Sequence, residues 1–403
     1  MIFSEGSLLA TSEDKAAVEE TIHMGLSGLN LSGEKDILFI GPALSQEINE
    51  IMKYNPGSLD SLHINPLISI LSEYTTPYDI RKRVNFITDD PVLYLKETKK
   101  KYDAILAISP PPSSLSLNRY FTEDFYRLIK TKLKPAGIFS FSMPSKREIL
   151  SPQFAKFNSS IINALDKVFN YRLIIPSDTM IIVASPDKEI NDYDLIENFI
   201  KVNPATDFFT IYHFKDNLKP SARDYIQNRL DAKIPANTNL TPSGFLNYLI
   251  LEQIKFYPDL KINQGKTGKN IIAALFIFWL LIIAFSFLSK RIYYLLNIGA
   301  VGFISIAMTA VIFVLFQAYC GALYWKLGLL IAFFMAGLST GILIISSKQI
   351  YRPKLLSVIF LCWGVAIIAL LLSLKKLGVV RYADIIFYSF SLLCGFLSGG
   401  VYP

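Results

Sequence analysis

Thiols are scarce in this chain. Its three cysteines, Cys320, Cys362 and Cys394, all lie within or beside long apolar runs. There is no CxxC pair and no cysteine before residue 320, so a disulfide framework or a structural zinc site has nothing to build on. Histidine is as sparse: His23, His63 and His213 stand at no metal-ligand spacing, and no metal is expected. The opening MIFSEGSLLATSEDK has no basic segment ahead of an apolar stretch, so no signal peptide is expected. Aromatic residues do not interleave the Lys99-Lys100-Lys101 run. A solvated helix end explains that run better than a single-strand surface, and no nucleic-acid partner is expected despite a net charge of +7. Asp, Glu and His are missing from the depths of the first four apolar runs, which disfavours a self-sufficient ion-coupled transporter.

What the sequence does hold changes character part-way along. Hydrophobic residues make up 52% of its 403 residues, yet the first 260 or so are ordinarily polar and the excess lies after Asn270. Composition therefore predicts two domains, residues 1–262 and 270–403. In the second, Ile271 to Leu288 is an uninterrupted apolar run closed by Lys290-Arg291. Eighteen helical residues rise about 27 Å, close to a hydrocarbon thickness of about 30 Å. Further runs cover Leu295–Phe316, Leu327–Ile345 and Leu355–Leu374, and a fifth starts near Ala383, with Asp384 at its head. The expectation is an all-α transmembrane domain of four to five spans, with a lipid bilayer as partner and a further span beyond the C-terminus. Gly337, Gly341, Gly395, Gly399 and Gly400 fall at small-xxx-small spacings that suit close helix packing. Loop cations, six against five, lean toward a membrane protein with its soluble domain in the cytoplasm.

In the first domain short apolar strands alternate with helices. Strands are predicted at Asp36–Ile40, Ser61–Ile64, Val84–Ile87, Tyr102–Ala107, Gly137–Ser142, Tyr171–Ile175 and Met180–Ala184. Helices are predicted at Lys15–Met24, Ala43–Lys53, Pro66–Tyr74, Pro91–Lys99, Thr122–Lys132 and Phe154–Phe169. Such alternation implies a doubly wound α/β fold with a parallel sheet, its core at about residues 34–185. Ligands of these sheets bind beyond the carboxyl ends of the strands, at the switch point. The loops after Ile40, Ile64, Ile87 and Ala107 are the candidate site.

The stretches ILFIGPALSQEI, LHINPLI, ITDDPVLYL, KYDAILAISPPPSSLSLNRYFTEDFY and LKPAGIFSFSMPS, with the later NTNLTP, resemble the spermidine synthase family. The resemblance is closer to its membrane-fused bacterial branch, where this class I methyltransferase-like domain is joined to major-facilitator-like spans, and so implies a bacterial inner or plasma membrane. It implies transfer of an aminopropyl group from decarboxylated S-adenosylmethionine to putrescine. It also implies glycines after the first strand, a ribose-binding acid after the second, and acids near the fourth that hold and deprotonate the amine.

Several of those positions depart from the pattern. The glycine turn is reduced to Gly41, followed by Pro42 and Ala43. His63 stands at the ribose acid and Asn65 two residues on, while the two catalytic acids are Ile108 and Pro111. Asp90 matches the adenine-contacting acid, Glu19 and His23 match an E…H pair, and Asn118, Arg119 and Tyr120 keep the segment bordering the site. Each survivor has a plainer reading. Asp90 can simply cap a helix, His23 can pack or cap, Arg119 can pair with Glu123, and His63 can sit on the surface at a strand end. The leading expectation is a membrane-tethered pseudoenzyme that binds a nucleoside or polyamine, or serves as a structural domain. Candidate ligands are decarboxylated S-adenosylmethionine, S-adenosylmethionine and methylthioadenosine. The alternatives are an active transferase with a rearranged site built on Asp90, Glu19 and His23, and a polyamine transporter or sensor. Oligomeric state is left open.

Overall fold

The computed structural model describes residues 2–4, 7–10, 15–177, 179–256, 290–320, 324–347 and 383–399. The chain divides into two compact units, Met1–Glu252 and Gln253–Pro403.

The first unit opens with a hairpin, β1 (Ile2–Ser4) and β2 (Ser7–Ala10), and then α1 (Lys15–Leu26). A run of strand–helix pairs follows: β3 (Asp36–Ile40), α2 (Ser45–Met52), β4 (Ser58–His63), α3 (Pro66–Thr75) and the short α4 (Tyr78–Arg81). Next come β5 (Val84–Thr88), α5 (Pro91–Glu97), β6 (Tyr102–Ala107), α6 (Leu115–Asn118), a 3₁₀ turn at Arg119–Phe121 and α7 (Glu123–Lys132). The series closes with β7 (Leu133–Pro144), α8 (Pro152–Asp166), β8 (Tyr171–Ile175), β9 (Thr179–Ser185), α9 (Asp192–Val202), α10 (Ile211–Asn217), α11 (Pro220–Gln227) and α12 (Ser243–Phe256).

Seven strands form one sheet in the order β5-β4-β3-β6-β7-β9-β8. The expected all-parallel sheet is corrected here: β9 pairs antiparallel with both β7 and β8, so the sheet is mixed. Only residues 176–178 join β8 to β9, too few for the crossover that a parallel pair needs. The α/β arrangement of the remaining strands follows from their apolar runs. Ile37, Leu38, Phe39 and Ile40 are all buried because helices cover both faces of β3.

The order of strands reverses between β3 and β6, which lie side by side with Ile40 opposite Ala107. Pairing continues one residue past the strands. Ile108 N–H donates to the Ile40 carbonyl at 2.9 Å, and Gly41 N–H donates to the Leu62 carbonyl at 3.2 Å. The carboxyl ends of β3, β4 and β6 are thereby held tightly together at the switch point.

In the second unit three helices are described: α13 (Lys290–Cys320), α14 (Tyr324–Ser347) and α15 (Ala383–Gly399). They hold the second, third and fifth apolar runs. The first and fourth runs lie outside the described residues. Within α14, Trp325–Ile344 has the length and apolarity to cross a membrane, with mean hydropathy 2.3, while Ser305–Cys320 and α15 are shorter apolar helices. Contacts fix their directions. Ser305 meets Ser398 at 2.9 Å and Phe316 meets Phe387, so α13 and α15 run antiparallel. Gly395 lies against Phe334 and Leu338, and Gly399 against Leu338 and Ile342, so α14 and α15 run parallel. A methyl group on Gly337, Gly395 or Gly399 would come within 2.2 Å of a carbonyl of the facing helix. These glycines let the two backbones touch.

Candidate functional site

At the switch point the surviving glycine has a packing reason of its own. Gly41 has φ +153°, and a Cβ there would lie 2.2 Å from the Ile108 carbonyl oxygen. Glycine is therefore required by the close approach of β3 to the end of β6, with or without a ligand. Ile108, at the position of the first expected acid, packs against the core, and Pro111 is half-buried in the loop that follows.

His63 ends β4, and the structure corrects the surface reading: its side chain is buried. Nε2 is 2.9 Å from Ser61 Oγ and the ring stacks on Phe86. Nδ1 is buried and makes no hydrogen bond among the described residues. Burial pushes its pKa down to about 4, against the opposing pull of the Gly41 backbone. The imidazole is neutral near pH 7 and offers no charge to a ligand. Asn65 is spent on the start of α3, where its side chain accepts the Leu67 N–H at 2.9 Å.

Asp90 does two jobs at once. Its Oδ1 accepts the N–H groups of Val92 and Leu93 at 2.9 and 3.2 Å, capping α5 ahead of Pro91. The same carboxylate is gripped by Arg119, which donates to Oδ2 at 2.9 Å and to Oδ1 at 2.8 Å. Arg119 is 2% exposed, so this is a fork-to-carboxylate pair in a nearly dry place. The expected Arg119–Glu123 pair is thus corrected. Glu123 is held instead by Arg127 and Lys167, at 2.6 and 3.2 Å.

Beside this pair, the segment around residue 118 is tied to the late NTNLTP stretch. Asn237 donates through its side-chain amide to Asn118 Oδ1 and to the Phe121 carbonyl, both at 2.9 Å, and accepts the Gly244 N–H. Thr122 caps α7. Tyr120 is half-buried, with its ring edge-on to Phe125. The Arg119 guanidinium lies 5.8 Å from the Tyr120 ring centre.

Glu19 and His23 are taken up in a different group. Burial pushes the Glu19 carboxyl up, but the N–H groups of Asp207, Phe209 and Phe208 more than reverse this and hold it below the usual carboxylate range. His23 is fully buried, with Nε2 2.9 Å from Glu50 and Nδ1 3.2 Å from Tyr54, and its ring stacks on Phe209. Both residues anchor α1 to α2 and to the 207–209 loop. The other side of that loop walls an open cleft of about 940 Å³, lined by Ala17, Glu20, Arg147, Phe208, His213 and Asp216 among others. None of the residues expected from the sequence at the switch point lines it.

Sequence reasoning missed a buried polar group on β4. Asp60 accepts from Tyr102 at 2.7 Å, Lys100 at 2.9 Å and Asn85 at 3.2 Å. Its signal was an acid between Leu59 and Ser61 at the start of an apolar run, with Lys100 just ahead of Tyr102–Ala107. Among the described residues no group of three or more His, Cys, Asp or Glu side chains is placed to hold a metal.

Residues 15–182 match the family described as spermine/spermidine synthase domain. This part of the chain is a spermidine synthase-like domain. A polyamine aminopropyltransferase of Oceanobacillus iheyensis is 24% identical over 259 residues, 60% of this chain and 47% of that protein. Polyamine aminopropyltransferase 2 of Aquifex aeolicus is 25% identical over 232 residues, 52% and 45% of the two chains. The chain thus spans about half the length of these curated relatives. Among solved structures, spermidine synthase from Thermotoga maritima aligns with TM-score 0.46 and 16% identity, over 56% of this chain and 78% of that one.

Proposed function

We propose that the spermidine synthase-like domain keeps the frame of an adenosyl-ligand site without carrying out standard aminopropyl transfer, and that the apolar helices tether it to a bilayer. One observation carries the first part. Where an amine must be held and deprotonated, the end of β6 presents Ile108 and Pro111, and the nearby Asp90 carboxylate is closed by Arg119. A protonated amine has no lone pair with which to attack, and neither residue can take its proton. Losing a general base commonly costs about 10²–10⁴ in rate. Any nucleoside that reached Asp90 would have to displace a bidentate guanidinium.

Support for the tether comes from the helix directions. A chain that leaves α14 and enters α15 in the same direction has to travel back between them. The sequence in between includes Leu355–Leu374, whose length suits a return crossing.

An active transferase is the second reading, favoured by the names of the curated relatives. Full-length protein in lipid nanodiscs, given decarboxylated S-adenosylmethionine and putrescine, decides between the two. The expected outcome is no spermidine above a protein-free control, together with measurable product when Ile108→Asp and Pro111→Asp are combined. Turnover by the unaltered chain overturns the pseudoenzyme reading. Calorimetry with methylthioadenosine then reports whether an adenosyl ligand binds at all.

A further inference from the structure

Helix α3 is built with its faces reversed. Ile68, Ser69 and Ser72 turn inward and are buried. Leu67, Ile70, Leu71 and Tyr74, at positions i, i+3, i+4 and i+7, make a stripe turned to solvent. Leu67 is 68% exposed, Ile70 62% and Tyr74 82%. Ile64 just before the helix and Tyr78 just after it extend the exposed apolar surface at both ends. Scattered surface hydrophobics need no account, but a contiguous stripe of this kind marks an interaction surface.

We infer that this face of α3 rests in the headgroup boundary of an anionic bilayer. The inference deepens the tethered reading above and rests on it. Charge selects the occupant. Against the acids Glu73 and Asp79 stand Arg81 at the end of α4 and Lys82 and Arg83 between α4 and β5, Arg83 donating to Asn55 and the Pro56 carbonyl. Lys82 Nζ lies 4.0 Å from the centre of the Tyr78 ring, and Arg81 lies 5.7 Å from it. Leucine and isoleucine along one face, tyrosines at the end and cations beyond them make up a helix that lies in the plane of a membrane surface. Tyrosine rings favour the level of the headgroups, and nearby cations are drawn to anionic lipid. A second copy of the chain would bring the same positive fringe instead of its complement. The stripe begins two residues after Asn65 caps the helix, so it adjoins the carboxyl edge of the sheet. Docking would hold the switch point beside the lipid surface.

Tryptophan fluorescence separates this inference from the one it rests on. The parent chain has Trp279, Trp325 and Trp363, all within the apolar segments. Full-length protein is reconstituted into phosphatidylcholine vesicles with and without phosphatidylglycerol, using brominated acyl chains as quencher. Quenching of the parent tryptophans reports insertion of the helices. The extra emission of Tyr74→Trp reports α3, and at 82% exposure the substitution disturbs no packing. The expected result is at least twofold quenching of that extra emission in anionic vesicles, weaker in pure phosphatidylcholine. Adding Leu67→Glu and Ile70→Glu should abolish it. If the parent tryptophans are quenched and the extra one is not, docking is overturned and the tether stands. Unquenched parent tryptophans sink both. Shielding of Trp at position 74 that grows with the protein-to-lipid ratio assigns the face to a second copy and also overturns the proposal.

Discussion

Asp90 and Arg119 show how little freedom one carboxylate keeps when it both caps a helix and holds a buried guanidinium. Removing one partner of a buried pair leaves the other charge uncompensated, which typically costs about 3–5 kcal/mol. Asp90 retains some solvent contact and its two backbone donors, so Arg119→Ala should cost about 3 kcal/mol. Arg119→Lys should recover only part of this, because a single ammonium cannot reproduce the fork. Chemical denaturation of the full chain, followed through loss of β-sheet signal, measures both. His63 supplies a second prediction. Its folded pKa, near 4, lies below the ordinary value of 6.5, so the unfolded chain takes up a proton that the buried ring refuses. The stability it protects is present above pH 6.5 and erodes as pH falls toward 4, by on the order of 3 kcal/mol at full extent. His63→Gln should flatten that stretch of the stability–pH curve, and an unchanged slope would mean the ring is not held neutral.

Among the elements, those whose hydrophobic pattern is unbroken could be read directly. Asp36–Ile40, Tyr102–Ala107 and Tyr171–Ile175 stand as strands at the residues their apolar runs mark. β4 starts three residues earlier than its apolar run because Asp60, polar and buried, is paired with Lys100 ahead of β6 and hydrogen-bonded by Asn85 on β5 and Tyr102 on β6, partners distant in sequence. β7 is longer than Gly137–Ser142 because Leu133 pairs with Tyr102 across an irregularity at Lys134-Pro135-Ala136, where Ala136 has φ +59°. Hydropathy has no direction, and the reversal of β9 was therefore invisible to it. The same limit applied to the site. The positions of Gly41, His63 and Ile108 at the strand ends follow from the apolar runs, but the burial of His63 does not, and the Asp90–Arg119 contact joins residues 29 apart in sequence. The glycines between α14 and α15 make a prediction at this scale. Gly395→Leu forces a side chain into the Phe334 carbonyl and should separate the pair. A lower melting temperature in detergent is expected, with Gly328→Leu as the control, since among the described residues nothing lies within 4 Å of a Cβ there.

At the scale of the whole chain, a spermidine synthase-like domain precedes helices that pack backbone to backbone. On the tethered reading, the shared heading of α14 and α15 carries a rule of parity. One traverse, or any odd number, has to separate them. Relatives that gain or shed a single apolar segment there would turn α15 upside down, and Gly395 would no longer find Phe334. Length variation in that stretch should therefore come in hairpins, two crossings at a time.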